Sequence, residues 1–200
     1  MDATTLNQPH TALVVGAGPV GALTALGLCQ QGWQVTLLEK EPLAPHQLPS
    51  SYDNRQLALT PQSVDWLTQT LGLTDLWSQL TPISHIHTSS KGHFGSMLMT
   101  AKQQGVAALG YTIAQRRLGE VIFAALAQTS VQRLSGVNLT TLTQDAESVS
   151  LTGKLADKHD PQTWQAERLF AADGAHSWIR NALGITSETR HYNHQLMTCI

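Results

Sequence analysis

The sequence predicts an α/β fold that opens on a strand, a glycine turn and a helix and continues into a β-meander. Three observations predict it. Ala12 to Val15 is a branched apolar run that leads into Gly16-Ala17-Gly18-Pro19-Val20-Gly21 and then into apolar residues at helical spacing. The segment from Val131 to Phe170 alternates in short strand-like runs with no helical crossover. Asp173-Gly174 follows the last of those runs and precedes a short helical pattern.

Each element follows from local pattern. Val20, Leu23, Thr24, Leu26 and Leu28 sit at helical spacing behind the glycines, Gly32 stops that helix, and Gln34 to Leu38 reads as a second strand ending at Glu39. Glu41 to Tyr52 holds three prolines and reads as loop. Pro61 to Leu80 reads as short helices carrying Val64, Leu67, Leu71, Leu76 and Leu80. Ile83, His85 and His87 alternate with polar residues, Lys91-Gly92 marks a turn, and Phe94 to Thr100 returns as a strand, which together predict a hairpin. Ala107 to Ile113 reads as strand and Gln115 to Gln128 as an amphipathic helix. Short strands are expected near Val131 to Leu134, Gly136 to Thr143, Ser148 to Thr152 and Thr163 to Phe170, then a helix from Ser177 to Leu183 closed by Gly184.

Two hundred residues, 42% of them hydrophobic, suffice to bury a core in one large domain or two small ones. Twelve basic against 14 acidic residues give a net charge of −2 and no clustered basic face, which argues against nucleic acid as a partner. Cys29 and Cys199 lie far apart without C-x-x-C spacing, so a thiol-keeping compartment, the cytoplasm, is expected. Thr11 to Cys29 lacks charged residues and approaches the ~20 apolar residues of a membrane span. Gly16, Gly18, Pro19 and Gly21 interrupt it, and the residues before it carry Asp2 but no Lys or Arg, so neither a span nor a secretory leader is expected. Among nine histidines, His85 and His87 share a strand face and His191 and His194 have one-turn spacing, yet no Cys or carboxylate set completes a quartet and no metal is expected. The five tryptophans, Trp33, Trp66, Trp77, Trp164 and Trp178, are scattered and read as packing or surface residues.

The glycine run carries the chemistry. Gly16 permits a tight turn, Gly18 lets the backbone approach a pyrophosphate, and Gly21 allows close packing of helix on strand, so that phosphates meet the positive end of the helix dipole. Glu39 ends the second strand about 20 residues on, where a Rossmann-like site places an acid on the adenosine ribose and repels a 2′-phosphate. A strand-end acid solvated beside Lys40 is its plainer reading. This much allows a nicotinamide dehydrogenase or a flavoprotein. The meander and Asp173-Gly174 favour the second, because a dehydrogenase more often alternates strands and helices there.

On Gly16 to Gly21, Asp53-Asn54-Arg55-Gln56-Leu57-Ala58-Leu59, Ser90-Lys91-Gly92-His93-Phe94-Gly95, Ala107-Ala108-Leu109-Gly110-Tyr111 and Ala171-Ala172-Asp173-Gly174-Ala175-His176-Ser177, the chain resembles the FAD-dependent aromatic-ring hydroxylases. The Ala-Leu-Gly-Tyr and Ser-Lys-Gly-His segments resemble their ubiquinone-biosynthesis branch. The resemblance implies FAD as cofactor, NAD(P)H as reductant, O2 as oxidant and a polyprenylated phenol as substrate, with peripheral contact to the inner membrane or to a ubiquinone-biosynthesis complex. It implies that Arg55 contacts FAD, that Gln115 opens the helix beside the flavin and pyrophosphate, and that Asp173 serves both FAD and the passing NAD(P)H. A guanidinium fork suits phosphate oxygens and a strand-end carboxylate accepts from sugar hydroxyls. The plainer alternatives are a surface pair between Arg55 and Asp53 and a simple strand-to-helix turn at Asp173-Gly174. No catalytic acid or base is assigned.

The resemblance further implies a Rossmann-like FAD-binding domain over residues 1–81 and 105–184, with 82–104 and 185–200 belonging to a β-rich substrate domain. Family members are longer, and the Gly-Asp motif of their second half has no counterpart here. The sequence therefore reads as an N-terminal portion ending in a substrate-domain strand at Cys199-Ile200. Alone it is expected to hold little FAD, to lack hydroxylase activity and to expose Met97, Leu98 and Met99 beside unpaired strand edges. The alternatives are a flavin-free NAD-dependent oxidoreductase and a non-catalytic fragment or accessory subunit of the same fold.

Overall fold

Residues 11 to 15 are small or β-branched around one leucine, a composition that fits a strand buried on both faces. The computed structural model describes residues 9–190 and 192. In chain order it contains β1 (Thr11–Val15), α1 (Pro19–Gln30), β2 (Gln34–Leu38), β3 (Gln56–Leu59), α2 (Pro61–Asp65), a π turn (Trp66–Thr70) and a 3₁₀ turn (Thr74–Gln79). There follow β4 (Thr81–Ile83), β5 (His85–Ser89), β6 (Ser96–Thr100), α3 (Ala101–Gln104), β7 (Gly110–Ala114) and α4 (Gln115–Leu126). The chain continues through β8 (Gln132–Leu134), β9 (Val137–Gln144), β10 (Val149–Leu155), β11 (Gln162–Ala166), β12 (Arg168–Ala171) and α5 (Trp178–Ala182). Two compact units result, one from Met1–Tyr52 with Ile122–Cys199 and the other from Asp53–Val121.

In the first unit β1 is the centre of a parallel sheet of order β12-β1-β2-β8, with Thr11 to Val15 opposite Gln34 to Leu38 on one side and Ala12 to Val15 opposite Arg168 to Ala171 on the other. Parallel neighbours need a crossover, and α1 supplies it between β1 and β2. Leu13, Val15 and Leu38 share a core with Val137, Leu151, Leu155, Ala166 and Ile179, against which Trp164 and Trp178 pack. Alternation turns Ala12 and Val14 to the other face, where they are equally buried. The meander is an antiparallel sheet of order β11-β10-β9. Its register shifts between Thr152 and Gly153, where a Cβ on Gly153 would lie 2.6 Å from the Asn138 carbonyl oxygen.

The strand expected from Thr163 to Phe170 is two strands in two sheets. β11 pairs antiparallel with β10 and β12 parallel with β1. Between them the Glu167 N–H donates to Thr11 Oγ1 at 3.0 Å, which draws the chain out of the meander and onto β1. The strand expected from Ser148 to Thr152 runs on to Leu155 past its glycine.

In the second unit β3, β7 and β4 form an antiparallel sheet, and β5 and β6 form a separate hairpin. The single run expected from Ile83 to His87 breaks at Ser84, whose carbonyl accepts from the Ala101 N–H, so β4 joins β7 while β5 joins β6. β3 and the one-turn helix α3 were not anticipated, and β7 starts at Gly110 rather than Ala107. Leu76, Ile113 and Leu118 are buried, while Phe94, Met97 and Leu98 are exposed and Met99 is half-buried. The β3-β7-β4 ladder ties residues 56–59 and 110–114 to 81–83 within the second unit. His191, His194 and the strand expected at Cys199-Ile200 lie outside the described residues. Among the described residues no helix is long and apolar enough to cross a membrane, and no group of three or more His, Cys, Asp or Glu gathers as a metal set.

Candidate cofactor site

A cavity of about 560 Å³ opens in the first unit where β1, β2 and the residues after β12 end. That volume lies within the ~300–1,000 Å³ of small-molecule sites, and the carboxyl ends of strands in an open parallel sheet are where such sites form. Gly16, Gly18, Glu39 and Asp173 line it together. The chain crosses the sheet edge tightly: the Gly16 N–H donates to the Leu38 carbonyl and the Ala172 N–H to that of Val15, each at 2.8 Å.

The three glycines do different work. Gly16 has φ of +97°, and a Cβ there would sit 2.4 Å from the Ala172 carbonyl oxygen. A Cβ on Gly21 would lie 1.8 Å from the Gly16 carbonyl oxygen. Gly18 is unlike either. Its φ of −64° suits any residue, and an added Cβ would meet only Ser51 Oγ, at 3.6 Å. Nothing in the fold requires glycine at position 18; a side chain there would project into the cavity. Gly18 is also the N-cap of α1, whose first turn has neither a capping side chain nor an acid, so its free N–H groups and dipole suit an anion.

Glu39 is tied to the glycine turn itself. Its Oε2 accepts from the Ala17 N–H at 2.7 Å and its Oε1 from the Glu41 N–H at 2.9 Å, which fixes the carboxylate and leaves each oxygen a second lone pair for a hydroxyl. Its charge and, more strongly, burial push the Tyr52 hydroxyl well above the usual tyrosine range. Asp173 follows β12, and its Oδ2 accepts at 3.1 Å from the Ile179 N–H in the first turn of α5, whose N-cap is Ser177. Its Oδ1 is buried and unpaired among the described residues, an acceptor awaiting a donor.

Arg55 and Gln115 belong to the second unit. The Arg55 guanidinium pairs with Asp53 at 2.6 Å, and the Arg55 backbone N–H, the largest influence, helps hold the Asp53 carboxyl below its ordinary value. The Gln115 N–H donates to the Arg55 carbonyl at 2.9 Å, so the start of α4 is docked on the 53–55 turn. Sequence reasoning missed Glu41, Ser51, Asn138 and His176 as cavity residues and read Trp178 as a packing or surface residue; it packs on the core and also lines the cavity. The proline-bearing loop that brings Ser51 to Gly18 carries no local signal of where it folds.

A glycine turn beneath a helix N-terminus, an acid ending the neighbouring strand and a carboxylate with one unpartnered oxygen after the third define an α/β protein built to hold a dinucleotide-type cofactor. The chain belongs to the FAD binding domain family, which it matches over residues 10–199, and FAD is its cofactor. The ubiquinone hydroxylase UbiM of Neisseria meningitidis is 29% identical over 198 residues, covering 94% of this chain and 41% of that protein. The 3-demethoxyubiquinol 3-hydroxylase of Escherichia coli is 29% identical over 196 residues, covering 96% and 48%. The solved structure of p-nitrophenol 4-monooxygenase PnpA from Pseudomonas putida superposes with a TM-score of 0.70 at 25% identity, over 88% of this chain and 44% of that one. The chain thus spans less than half the length of these relatives. The residues present fit FAD in their chemistry: the space at Gly18 beside the α1 N-terminus suits a pyrophosphate, the Glu39 oxygens keep lone pairs that suit hydroxyls, and the buried Asp173 Oδ1 is an acceptor without a partner among the described residues.

Proposed function

We propose that the protein is an FAD-dependent monooxygenase that hydroxylates a polyprenylated phenol in ubiquinone biosynthesis, with NAD(P)H as reductant and O2 as oxidant. The observation that carries this reading is the cavity lined by Gly18, Glu39 and Asp173 in a chain whose relatives, over nearly all its length, include ubiquinone hydroxylases. FAD supplies the two-electron redox and oxygen-activating chemistry when bound. Gly16 and Gly21 hold the turn, Gly18 clears the space for pyrophosphate, Glu39 orients the adenosine ribose, and Asp173 accepts from a hydroxyl of the cofactor. In this reading Arg55 contacts FAD and Gln115 opens the helix beside it, each to be tested by alanine substitution. The reading assigns residues 1–81 and 105–184 to FAD binding, and 82–104 and 185–200 to a substrate domain. A polyprenyl tail accounts for peripheral contact of a cytoplasmic enzyme with the inner membrane or with a biosynthetic assembly.

The test is hydroxylation of a short-chain prenylated phenol in the presence of FAD and NADH or NADPH, with the product read by mass spectrometry. Expected is a product carrying one added oxygen from a version extended to the length of its relatives, none from that version carrying Gly18→Val, and none from these 200 residues alone. An extended version that binds FAD and consumes no reduced nicotinamide with any such phenol contradicts the assigned reaction and leaves a cofactor-binding accessory role; an extended version that binds no FAD overturns the whole reading.

A further inference from the structure

Glu41 stands two residues beyond Glu39 and touches three walls of the cavity. Its N–H donates to Glu39 Oε1 at 2.9 Å, its carbonyl accepts from the Gly136 N–H at 3.1 Å, and its carboxylate Oε2 accepts from the Ser50 N–H at 2.8 Å. Gly136 leads directly into the lining residues Val137 and Asn138, and Ser50 lies between the lining residues Pro49 and Ser51. One residue therefore joins the ribose acid, the start of the meander and the loop that faces the glycine turn.

The segment between Glu41 and Ser50 is a closed loop whose ends meet through that carboxylate, in the manner of a compact Ω-loop. The loop has further ties along its length. Ala44 and Gln47 bond each other, the Leu43 N–H reaches Ser135 Oγ at 3.3 Å, and the Tyr52 N–H bonds the Pro49 carbonyl. Just past the clasp, Ser51 Oγ is the single atom that a Cβ on Gly18 would meet. Where the loop is held at Ser50, Ser51 is held opposite the space for the pyrophosphate. Two of the three Glu41 bonds are made by the backbone and survive any change of side chain, so the carboxylate can be examined by itself.

We propose that Glu41 is a positioning residue for the adenosine and pyrophosphate end of FAD: its carboxylate clasps the 42–51 loop shut at Ser50 and so fixes the wall facing Gly18. The inference rests on the reading of this cavity as the FAD site. A hydrogen bond to a charged acceptor is the strong kind, and closing the loop before the ligand arrives removes the ordering cost from binding. Glu41 itself contacts FAD in no part of this scheme. It acts through Ser50 and Ser51.

The test compares wild-type protein with Glu41→Ala and Glu41→Gln, titrating each with FAD and with ADP and recording the melting of the ligand-free form. Glutamine keeps an acceptor for the Ser50 N–H; alanine does not. Expected is an FAD and ADP dissociation constant raised about tenfold in Glu41→Ala and within about threefold of wild type in Glu41→Gln, with ligand-free melting little changed in both. Wild-type affinity in Glu41→Ala overturns the proposal. So does equal weakening in both variants, because the acceptor then contributes nothing. Loss of cooperative melting in Glu41→Ala also overturns it, by making the contact a support of the fold. Failure of the wild-type protein to bind either ligand refutes the cavity reading instead, which separates the two ideas.

Discussion

At the scale of the residue, the glycine run separates fold from function. Gly16 and Gly21 face backbone atoms at 2.4 and 1.8 Å from an added Cβ, distances no side chain can occupy without moving the sheet edge or the helix. A Cβ on Gly18 would meet only Ser51 Oγ, at an ordinary contact distance of 3.6 Å. Gly21→Val is therefore expected to destabilise the protein by at least about 3 kcal/mol, the upper part of the range for overpacking, or to prevent folding. Gly18→Val should cost no more than about 1 kcal/mol, through a poorer N-cap, and should weaken FAD binding by tenfold or more. Denaturant unfolding and flavin titration of the two variants check the contrast. A Gly18→Val protein with wild-type affinity would remove the pyrophosphate from this turn. Tyr52 gives a second residue-level expectation. Its ring is 5% exposed and meets Phe123 edge-on at 5.7 Å, yet its hydroxyl has no partner among the described residues. Tyr52→Phe keeps the ring contact, deletes an unsatisfied polar group and should stabilise by about 1 kcal/mol. Burial and the Glu39 charge raise the folded hydroxyl above its ordinary value of 10.0, so the fold favours the protonated form. That preference is fully present below pH ~10 and is lost as rising pH ionises the unfolded chain. Unfolding measured from pH 7 to 11 should show the advantage of Tyr52→Phe widening above pH 10, and a constant difference would count against the buried hydroxyl.

At the scale of the element, what could be read from sequence was what neighbours in the chain decide. The β1, glycine turn, α1 and β2 sequence was legible because strand composition, φ-permissive glycines and helical spacing all lie within the first forty residues. Glu39 was legible for the same reason, at a fixed distance along one β-α-β unit. The split of β11 from β12 was not, because it depends on Glu167 meeting Thr11, which comes 156 positions earlier. β3 escaped notice since four residues of Gln-Leu-Ala-Leu are too short to establish alternation and become a strand only beside β7. Arg55 illustrates the limit for the site itself. Its chemistry suits a phosphate, but within its own unit it is turned to Asp53, and no spacing in the sequence reveals which partner a guanidinium takes. Glu41 was invisible in the same way: its importance lies in meeting Ser50 and Gly136 at once, a pairing that appears only when the loop and the meander have folded.

At the scale of the whole molecule, the cavity belongs entirely to the unit built from Met1–Tyr52 and Ile122–Cys199, and its parts suit one end of FAD. The helix N-terminus, the Gly18 cradle and Glu39 match adenosine and pyrophosphate, which ADP also carries and riboflavin lacks. A ligand that binds the folded state alone stabilises it by RT ln(1 + [L]/Kd), about 1.4 kcal/mol at ten times Kd and about 2.7 kcal/mol at a hundred times. For a protein of this size each kcal/mol raises the melting temperature by roughly 2–4 °C. ADP at ten times its Kd should therefore shift melting upward by about 3–6 °C, FAD should do at least as well, and riboflavin at equal concentration should leave it unchanged. Amide hydrogen exchange locates the effect. With ADP, protection should grow in peptides covering residues 15–22, 38–51 and 136–139, which line or frame the cavity, while peptides from β5 and β6 should not respond. A melting shift produced by riboflavin and not by ADP would mean that the described cavity is not where the adenosine end binds, and the roles given to Gly18, Glu39 and Glu41 would fall together.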